Sequence, residues 1–514
     1  MAQDFGSQAA KPRDMSIAAY DLRSESLIDP LGCDFTTPRL SWKISGDKDA
    51  RGVSQSAYRV QAGSQPGLAD LWDSDKVDSD QSLFIAWGGP KLTSRQKVWW
   101  RVKVWDEAGK ASKWSDDASI ELGLLRPSEW RGAKWIGGPL VGGPRSPIPL
   151  PRLSRNFTIS KPITNARLYI TALGVYEASV NGAKAGDAEL TPGWTSYFSR
   201  VRYQTRDVTK LLTEGENELA VELGDGWAVG HIGWRDRGTY ADRPKALALL
   251  IVAHADGTET VVRTDNKWQV AYGPRLAADL QMGEHIDYRL PWTSLGAATV
   301  FPAPEGMSVD AQNGPEIIKT QELTPVKAPY RHGGSWIFDL GINMVGRIRL
   351  KATGEAGTNI KIRYAEVLEK GPLATDGPIY ITNLRAAANT DYFTLKGDEK
   401  GETFESIFTF HGFRYVEISG YPGEPDVSAL TGIVLHTDCP TTGDFECSDS
   451  MVNQLQKNID WGWRGNSLDV PTDCPQRDER LGWTGDAQVF CRTACFIRDT
   501  AAFWRKWMGD MRDA

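Results

Sequence analysis

The sequence concentrates carboxylic acids close to residue 480. Asp473, Asp478, Glu479 and Asp486 fall within fourteen positions, and two arginines lie among them. Carboxylates held this close raise one another's pKa unless cations or hydrogen bonds intervene, which is how an acid stays protonated near neutral pH. Such an acid can donate a proton to a leaving group. The spacing therefore predicts acid–base chemistry centred on Glu479, whose pKa Asp473 and Asp486 are expected to raise.

The same stretch contains an aromatic residue in an unusual setting. Trp483 follows Gly482 and precedes Gly485 by two positions, and Pro475 lies upstream. A solvated acidic loop is the simplest alternative, but such a loop has no need of a tryptophan between glycines. An indole offers a flat apolar face with a polar edge, and sugar rings stack on faces of this kind. The stretch therefore favours a carbohydrate-binding site.

The sixteen residues from Asp473 to Gln488 read DCPQRDERLGWTGDAQ. This string resembles the signature of the bacterial α-L-rhamnosidases of glycoside hydrolase family 78. The resemblance implies that Glu479 is the general acid. It also implies a rhamnose subsite, with the indole against the sugar ring or its C6 methyl group, that is lined by Asp473, Arg477, Asp478, Trp483 and Asp486.

The resemblance further implies the reaction. It is the inverting hydrolysis of terminal α-L-rhamnose from a rhamnose-containing glycoside or polysaccharide, without a metal or another cofactor. In this family the general base is a second glutamate far downstream, and residues 480–514 contain no glutamate. The resemblance reaches only the opening quarter of the family's catalytic domain. We therefore expect the chain by itself to be inactive or nearly so.

Composition narrows the function classes. The 514 residues allow three or four domains, and the net charge of −7 gives no electrostatic footprint for nucleic acid. No apolar run is long enough to span a membrane. The six cysteines contain no CxxC pair, so we expect neither a metal site nor a disulfide framework. The N-terminus lacks the apolar stretch of an intact signal peptide, which leaves a cytoplasmic or a periplasmic location. A homodimer is left open.

Alternating apolar residues predict three all-β sandwich domains behind a flexible tail at residues 1–16. Residues 17–125 resemble a fibronectin type III domain, with Trp100, Val102 and Val104 on one strand face. Residues 150–302 resemble a jelly roll and contain the hairpin signal Asn181-Gly182. Residues 316–434 resemble the concanavalin-like supersandwich that precedes the catalytic domain in this family.

After residue 437 the apolar period changes from strand to helix. Apolar residues recur every fourth position from Met451, behind an N-cap at Ser448 or Ser450. Further helices are predicted at about 485–496 and from about 500. By resemblance, residues 438–514 begin an (α/α)6 barrel of six hairpins. Without the other helices, eight apolar side chains are expected to face water: Met451, Leu455, Trp463, Phe490, Phe496, Phe503, Trp504 and Trp507.

Several residues and two further functions stay open at this stage. Trp194, Trp227 and Trp234 suit either sugar platforms or packing, and the resemblance favours packing. Glu366 and His411 are interpreted as structural groups. Besides a rhamnosidase, the sequence allows a non-catalytic carbohydrate-binding assembly, favoured by the missing base and the twenty tryptophans. It also allows another six-hairpin glycosidase or lyase, against which the sixteen-residue string argues.

Overall fold

A computed structural model describes residues 17–47 and 50–514, so the predicted tail at residues 1–16 lies outside the described residues. The described chain divides into two compact units, residues 17–126 and 127–514. Strands dominate both units, and three longer helices follow the last strand. Within the described residues, we find no helix with the length and apolar character needed to cross a membrane.

The first unit is a small β-sandwich. Its longest strand, Lys97–Trp105, buries every second side chain, and Trp100, Val102 and Val104 are 0–1% exposed, as the alternation predicted. A three-stranded sheet (β1-β3-β7) and a six-stranded sheet (β2-β9-β8-β4-β5, with β6 on β4) make up the unit. The strands are β1 Ala18–Ser24, β2 Leu31–Cys33, β3 Arg39–Ser45, β4 Ala57–Gly63, β5 Trp72–Asp73, β6 Val77–Asp78, β7 Ile85–Ala86, β8 Lys97–Trp105 and β9 Ala118–Leu122.

The second unit opens with another sandwich, the middle β domain. Its strands bury alternate apolar residues between a seven-stranded and a six-stranded sheet. The predicted hairpin is present, with Asn181 and Gly182 at positive φ between β13 and β14. The strands up to residue 311 are β10 Trp135–Gly137, β11 Pro151–Ile159, β12 Ile163–Leu173, β13 Val175–Val180, β14 Ala183–Lys184, β15 Ala188–Glu189, β16 Arg200–Asp207, β17 Gly215–Gly224, β18 Lys245–His254, β19 Glu259–Arg263, β20 Gln269–Tyr272, β21 Arg275–Asp279, β22 Gly283–Asp287, β23 Thr293–Ala297, β24 Thr299–Phe301 and β25 Ser308–Ala311.

The third β domain is built on an eleven-stranded sheet with its own apolar core. Its later strands are β26 Ile317–Leu323, β27 Tyr330–His332, β28 Ser335–Ala352, β29 Asn359–Ala365, β30 Thr390–Thr394, β31 Glu402–Glu405, β32 His411–Ser419 and β33 Leu430–Thr437. The eighteen-residue strand β28 is central, because it pairs with β27, β31, β32 and β33. Residues between β29 and β30, and the residue just before β32, reach the signature loop described below.

The middle and third β domains exchange strands. The hairpin β21–β22 and the short strand β15 lie between residues 188 and 287, yet they pair within the eleven-stranded sheet. Strands β10 and β25, by contrast, pair within the seven-stranded sheet although they fall outside the predicted limits 150–302. These pairings join segments that are distant in sequence, so no local pattern announces them. The exchange fixes the two domains to each other through backbone hydrogen bonds.

The helices follow the predicted order with small shifts. They are α1 Gly226–Val229 within the middle domain, then α2 Ser450–Gly465, α3 Thr484–Ile497 and α4 Ala501–Asp513, with short 3-10 turns at Pro127–Trp130, Thr209–Leu211, Thr382–Leu384 and Val427–Ala429. The predicted N-cap at Ser448 or Ser450 is wrong. Asp449 caps α2, because its carboxylate accepts the N–H groups of Met451 and Val452.

The expectation that all eight helical apolar side chains face water is wrong for several of them. Met451, Leu455 and Phe496 are 56–81% exposed, as expected, whereas Trp463, Phe503 and Trp507 are at most 9% exposed. Phe490 and Trp504 are half-buried. The buried side chains lie between the three helices, where they form two small cores, one of them shared with Trp194 of the middle β domain.

A buried charge network joins α4 to the middle β domain. The Nζ atom of Lys506 lies 2.7 Å from Asp469 and 2.8 Å from Asp510, and it donates to the carbonyl of Trp194 over 2.6 Å. Arg200 of β16 also reaches Asp510, at 3.4 Å. Ion pairs that are removed from water depend on complete pairing, since a lone buried charge is strongly unfavourable. This network therefore sets where the last helix lies.

We predict that Lys506→Met destabilises residues 127–514 by about 3–5 kcal/mol, because two buried carboxylates lose their shared cation. Urea unfolding followed by tryptophan fluorescence measures this, since Trp463, Trp504 and Trp507 lie in the helices. Lys370→Met is the matched control: its ion pair with Asp376 is exposed, and such pairs contribute at most about 1 kcal/mol. Equal losses in the two variants would contradict a structural role for the network.

Candidate active site

The signature loop, residues 473–483, precedes α3. It follows a short segment after α2 that forms isolated β-bridges. It contains no helix and no strand, and its ends are joined by a backbone bridge between Thr472 and Gly482. Asp473 N–H also donates to the carbonyl of Leu481 over 3.2 Å. A Cβ atom at Gly482 would lie 2.5 Å from the ring of Trp507. Glycine at this position therefore lets the base of the loop lie directly against α4.

Arg480 fixes the loop to both β domains. The side chain is buried, with 3% exposure. Its Nη1 donates to the carbonyl of Phe410 over 2.7 Å and to that of Leu280, and its Nη2 donates to Asn389 Oδ1 over 2.5 Å. These acceptors are all neutral, and burial lowers the pKa of Arg480 to about 9. The charge is kept in place by carbonyl dipoles from the β21–β22 turn and the third β domain.

Two further arginines hold Glu479. Arg477 lies 2.8 Å and 2.7 Å from its Oε2 atom through Nε and Nη2, and Arg385 Nη2 donates to the same oxygen over 2.9 Å. The Nε atom of Arg385 lies 2.6 Å from Asp478 Oδ1. Glu479 itself is only 6% exposed. The carboxylate is therefore held between cations from the loop and from the third β domain.

These cations reverse the predicted electrostatics. Burial raises the pKa of Glu479, but hydrogen bonds from Asp473 and Arg477 lower it by more, so the net shift is downward. Burial and the neighbouring Glu479 carboxylate raise the pKa of Asp473. The expectation that Asp473 and Asp486 raise the pKa of Glu479 is thus wrong, because the hydrogen bond from Asp473 and the neighbouring arginines favour the ionised form of Glu479, and Asp486 is exposed.

One cluster has the ligand types for a metal ion in residues 17–47 and 50–514. Single ligand atoms of Asp473, Cys474 and Glu479 lie within 4.8 Å of one another. The arginines on Glu479 already neutralise that carboxylate. Burial and Asp473 raise the pKa of the Cys474 thiol to about 12, whereas a metal-binding thiol must be deprotonated. The cluster is therefore poorly suited to a resident cation.

The predicted site residues divide between two sides of the loop. Asp473 and Asp486 line one cavity of about 500 Å³ together with Trp463, Phe490 and Trp504. Asp478 lines a different cavity of about 470 Å³, which belongs mainly to the middle β domain. Trp483 is 37% exposed, and its ring centroid lies 6.3 Å from that of Trp234. Glu479 and Arg477 lie between these features.

The structure separates the alternatives for the other residues. Trp227 is a core residue at 2% exposure, and Trp194 packs against Val470 and Trp507, whereas Trp234 is 61% exposed. His411 is fully buried against the ring of Tyr364, consistent with a structural group. Glu366 accepts hydrogen bonds from two asparagines, as a structural group does, but it also lines a cavity of about 460 Å³ with Asp473.

Sequence reasoning missed the residues that the third β domain contributes. Arg385 lies 94 positions from Glu479, and Asn389 donates to the carbonyl of Gln476 over 2.6 Å across 87 positions. Both residues lie in an irregular segment between β29 and β30. The local feature that marks both residues is a positive backbone φ, which is uncommon for residues other than glycine. This angle is a property of the fold, and no pattern in the sequence predicts it.

Comparison with known proteins supports the same interpretation. Four family models match in order: the Rha78A-like N-terminal immunoglobulin domain at residues 19–126, the α-L-rhamnosidase N-terminal domain at 161–328, the bacterial α-L-rhamnosidase concanavalin-like domain at 331–436, and the bacterial α-L-rhamnosidase six-hairpin glycosidase domain at 440–514. The signature loop falls within the last of these matches.

Whole-chain relatives agree. An α-L-rhamnosidase of Formosa agariphila is 39% identical over 96% of this chain and 54% of its own length. One from Streptomyces avermitilis is 35% identical over 94% of this chain and 64% of its own length. The crystal structure of the Streptomyces avermitilis α-L-rhamnosidase complexed with L-rhamnose superposes with a TM-score of 0.92 at 32% identity, over 97% of this chain and 65% of that chain.

The chain thus spans between about half and two thirds of the length of these relatives. Along the chain, β-sandwich domains, the first of them immunoglobulin-like, are followed by the start of a helical domain. On these matches, the chain belongs to the bacterial α-L-rhamnosidase family, glycoside hydrolase family 78.

Proposed function

We propose that the protein is an inverting α-L-rhamnosidase that releases terminal α-L-rhamnose from a rhamnose-containing glycoside or polysaccharide. The observation that carries the proposal is the buried carboxyl group of Glu479, which Arg477 and Arg385 hold beside Asp473 on a loop that also presents Trp483. Glycoside hydrolysis needs one carboxyl group that protonates the leaving oxygen and another that activates water. Here Glu479 is the general acid, as family membership and the loop geometry both support.

The rhamnose subsite of this proposal is the cavity that Asp473 and Asp486 share. Its volume of about 500 Å³ is ample for one sugar ring. Carboxylates accept hydrogen bonds from neighbouring hydroxyl groups, while Trp463, Phe490 and Trp504 give an apolar wall. Rhamnose lacks a hydroxyl group at C6, so such a wall favours it over a sugar that carries one. Contacts with one methyl group discriminate by only about 1–3 kcal/mol, so the carboxylates supply the remainder.

Substrate binding itself can move the proton to Glu479. In the free protein Asp473 holds it, because Arg477 and Arg385 favour the ionised form of Glu479. A sugar hydroxyl group that donates to Asp473 favours the ionised form of that residue and returns the proton to its partner. Glu479 is then an acid only when the sugar is bound. Arg477 in this scheme positions Glu479, and Asp478 positions Arg385.

The general base of an inverting reaction stands on the opposite side of the sugar, about 6.5–9.5 Å from the acid. We place it outside residues 1–514, on a later helix of an (α/α)6 barrel that continues from α2, α3 and α4. Residues 480–514 hold no glutamate. The chain by itself is then expected to bind rhamnose but to hydrolyse rhamnosides slowly or not at all. A chain of these 514 residues that turns over an aryl rhamnoside at an ordinary rate would contradict this placement.

The role of Glu479 is tested in a protein that includes the complete helical domain. Glu479→Gln should slow the hydrolysis of natural rhamnosides by about a hundredfold or more, because their leaving groups need a proton. Hydrolysis of an aryl rhamnoside with an acidic phenol should be largely spared. Steady-state rates on the two substrates give the comparison, with Glu305→Gln as a control because Glu305 is exposed and lies away from the loop. Equal loss on both substrates would exclude Glu479 as the proton donor.

Trp483 is expected to contribute to sugar affinity and not to folding. Trp483→Ala should raise the dissociation constant for L-rhamnose about tenfold, or ~1.4 kcal/mol, because the sugar loses an indole face. Titration calorimetry on the 514-residue chain measures this. Trp292→Ala is the control, since Trp292 has a similar exposure of 40% and lies on the same unit outside the site. A large fall in unfolding temperature with unchanged binding would make Trp483 a packing residue.

The location of the proton is tested through stability. An unfolded aspartate has a pKa of about 3.9, and the folded pKa of Asp473 is higher. As pH rises between these two values, the unfolded chain releases its proton first, so the free energy of unfolding falls. Asp473→Asn cannot titrate, and its amide still donates to Glu479. It should therefore be more stable than the wild type at about pH 7 and equal to it at about pH 4.

Urea unfolding at several pH values gives the measurement, and Asp486→Asn provides the control because Asp486 is exposed. A gain from Asp473→Asn that is the same at every pH would argue against a titrating group. Stabilisation by Glu479→Gln in place of Asp473→Asn would put the shared proton on Glu479.

A further inference from the structure

A second cavity adjoins the signature loop on the side away from Asp486. It encloses about 470 Å³ and is lined by His231, Trp234, Arg235 and Gln281 of the middle β domain and by Asp478 of the loop. The cavity is distinct from the one assigned to rhamnose above. Because Asp478 precedes Glu479 in the chain, the cavity lies against the same short stretch of backbone that carries the general acid.

Trp234 is held at the mouth of this cavity by the loop itself. It occupies a tight turn that Ile232 and Arg235 close through a backbone hydrogen bond of 3.0 Å. The preceding residue, Gly233, donates its N–H to the carbonyl of Glu479 over 3.2 Å and accepts from Gln281 Nε2 over 3.0 Å. The position of the indole is thus coupled to the backbone of the acid.

Trp234 is largely exposed beside a polar cavity and packs against Trp483. The side chain is 61% exposed, and its ring lies 6.3 Å from that of Trp483 at an angle of 51°. Large aromatic groups left in water next to a polar cavity are typical of binding surfaces. Two tilted indoles at this separation present faces for two neighbouring rings.

The polar groups of the cavity are also arranged for a ligand. His231 Nδ1 lies 2.9 Å from Asp279 Oδ2, and the backbone N–H of His231 donates to the same oxygen over 2.8 Å. This pairing leaves Nε2 as the free edge of the ring, and within the described residues it makes no hydrogen bond. Arg235 is exposed and makes no ion pair in the same part of the chain. The Nε2 atom of His231, an acceptor in the neutral ring whose Nδ1–H donates to Asp279, and a guanidinium group therefore face the space beside Trp234.

We propose that this cavity binds the saccharide unit to which the rhamnose is linked. The inference rests on the proposed function, because it takes the cavity of Asp473 and Asp486 as the rhamnose side of the scissile bond. Trp234 stacks on the second ring, while His231 Nε2 accepts a hydrogen bond from one of its hydroxyl groups and Arg235 donates to another. A polyhydroxylated ring suits this mixed lining better than a bare aromatic ring, since these polar groups would stay unpaired against the latter. The middle β domain thus selects the leaving group.

The test compares three probes on the 514-residue chain by titration calorimetry: L-rhamnose, phenyl α-L-rhamnoside and a disaccharide with α-L-rhamnose on a neutral hexose. We expect the disaccharide to bind about tenfold more tightly than rhamnose. Trp234→Ala should remove that gain and leave rhamnose binding unchanged. Phe198→Ala is the matched control, because Phe198 is 62% exposed on the same unit and lies outside the cavity. His231→Gln should remove part of the gain.

Each outcome bears on the proposal. If rhamnose binds but the disaccharide binds no more tightly, the proposal is wrong while the proposed function stands. The same holds if the disaccharide keeps its tighter binding in Trp234→Ala. If phenyl rhamnoside shows the full gain, the cavity recognises a flat ring and the saccharide assignment is wrong. If no probe binds, the proposed function fails in this chain and the inference falls with it. Thermal unfolding of each variant confirms that a lost gain does not reflect a lost fold.

Discussion

The candidate site depends on one buried cation, Arg480. The signature loop has no helix or strand of its own, so its shape is set by whatever its side chains bind. Arg480 donates to carbonyl groups from the β21–β22 turn and from the third β domain, and to Asn389. A charge removed from water is costly unless its donors are satisfied. The loop can therefore place Glu479 only where both β domains supply those acceptors together.

This requirement explains why the strand exchange matters for chemistry. The turn that offers Leu280 belongs in sequence to the middle β domain, yet its strands pair in the eleven-stranded sheet of the third. Backbone pairing thus fixes the carbonyl groups that accept from Arg480 relative to each other, independently of the loop. Lys506 performs a similar role on the helical side, because it links α4 to Asp469 and Trp194. The β domains are a scaffold that orients an acid presented by the helical region.

Local patterns in the sequence predicted much of this architecture. The alternation around Trp100, the hairpin at Asn181-Gly182 and the four-residue period after Met451 each correspond to an observed element. The signature string placed Glu479 and Trp483 in one loop. These features succeed because their physics is local: a strand face, a turn conformation or a helix face is encoded within about ten residues.

What the sequence did not predict involves contacts between distant segments. Arg385 and Asn389 reach the loop across more than 80 positions, and no period or motif marks them. The direction of the pKa shift at Glu479 was mispredicted because the sequence shows crowded carboxylates but not their hydrogen bonds. Asp473 and Arg477 of the loop lower this pKa most, and Arg385 of the third β domain adds to them. Electrostatics depends on three-dimensional neighbours, so charge spacing along the chain alone gives the wrong sign here.

The lowered pKa of Glu479 changes how this residue would act as an acid. A carboxyl group stays protonated near neutral pH when its surroundings are apolar. Glu479, by contrast, is held by two arginines and a hydrogen bond from Asp473. Such a setting stabilises the ionised form and so also favours the product of proton donation. An acid that gives up its proton readily speeds leaving-group departure, provided that something reloads it. Asp473 lies beside it with a raised pKa and lines the cavity that we propose for rhamnose. In the proposed function, the pair therefore combines a strong acid with a nearby proton reservoir, which neither residue could provide alone.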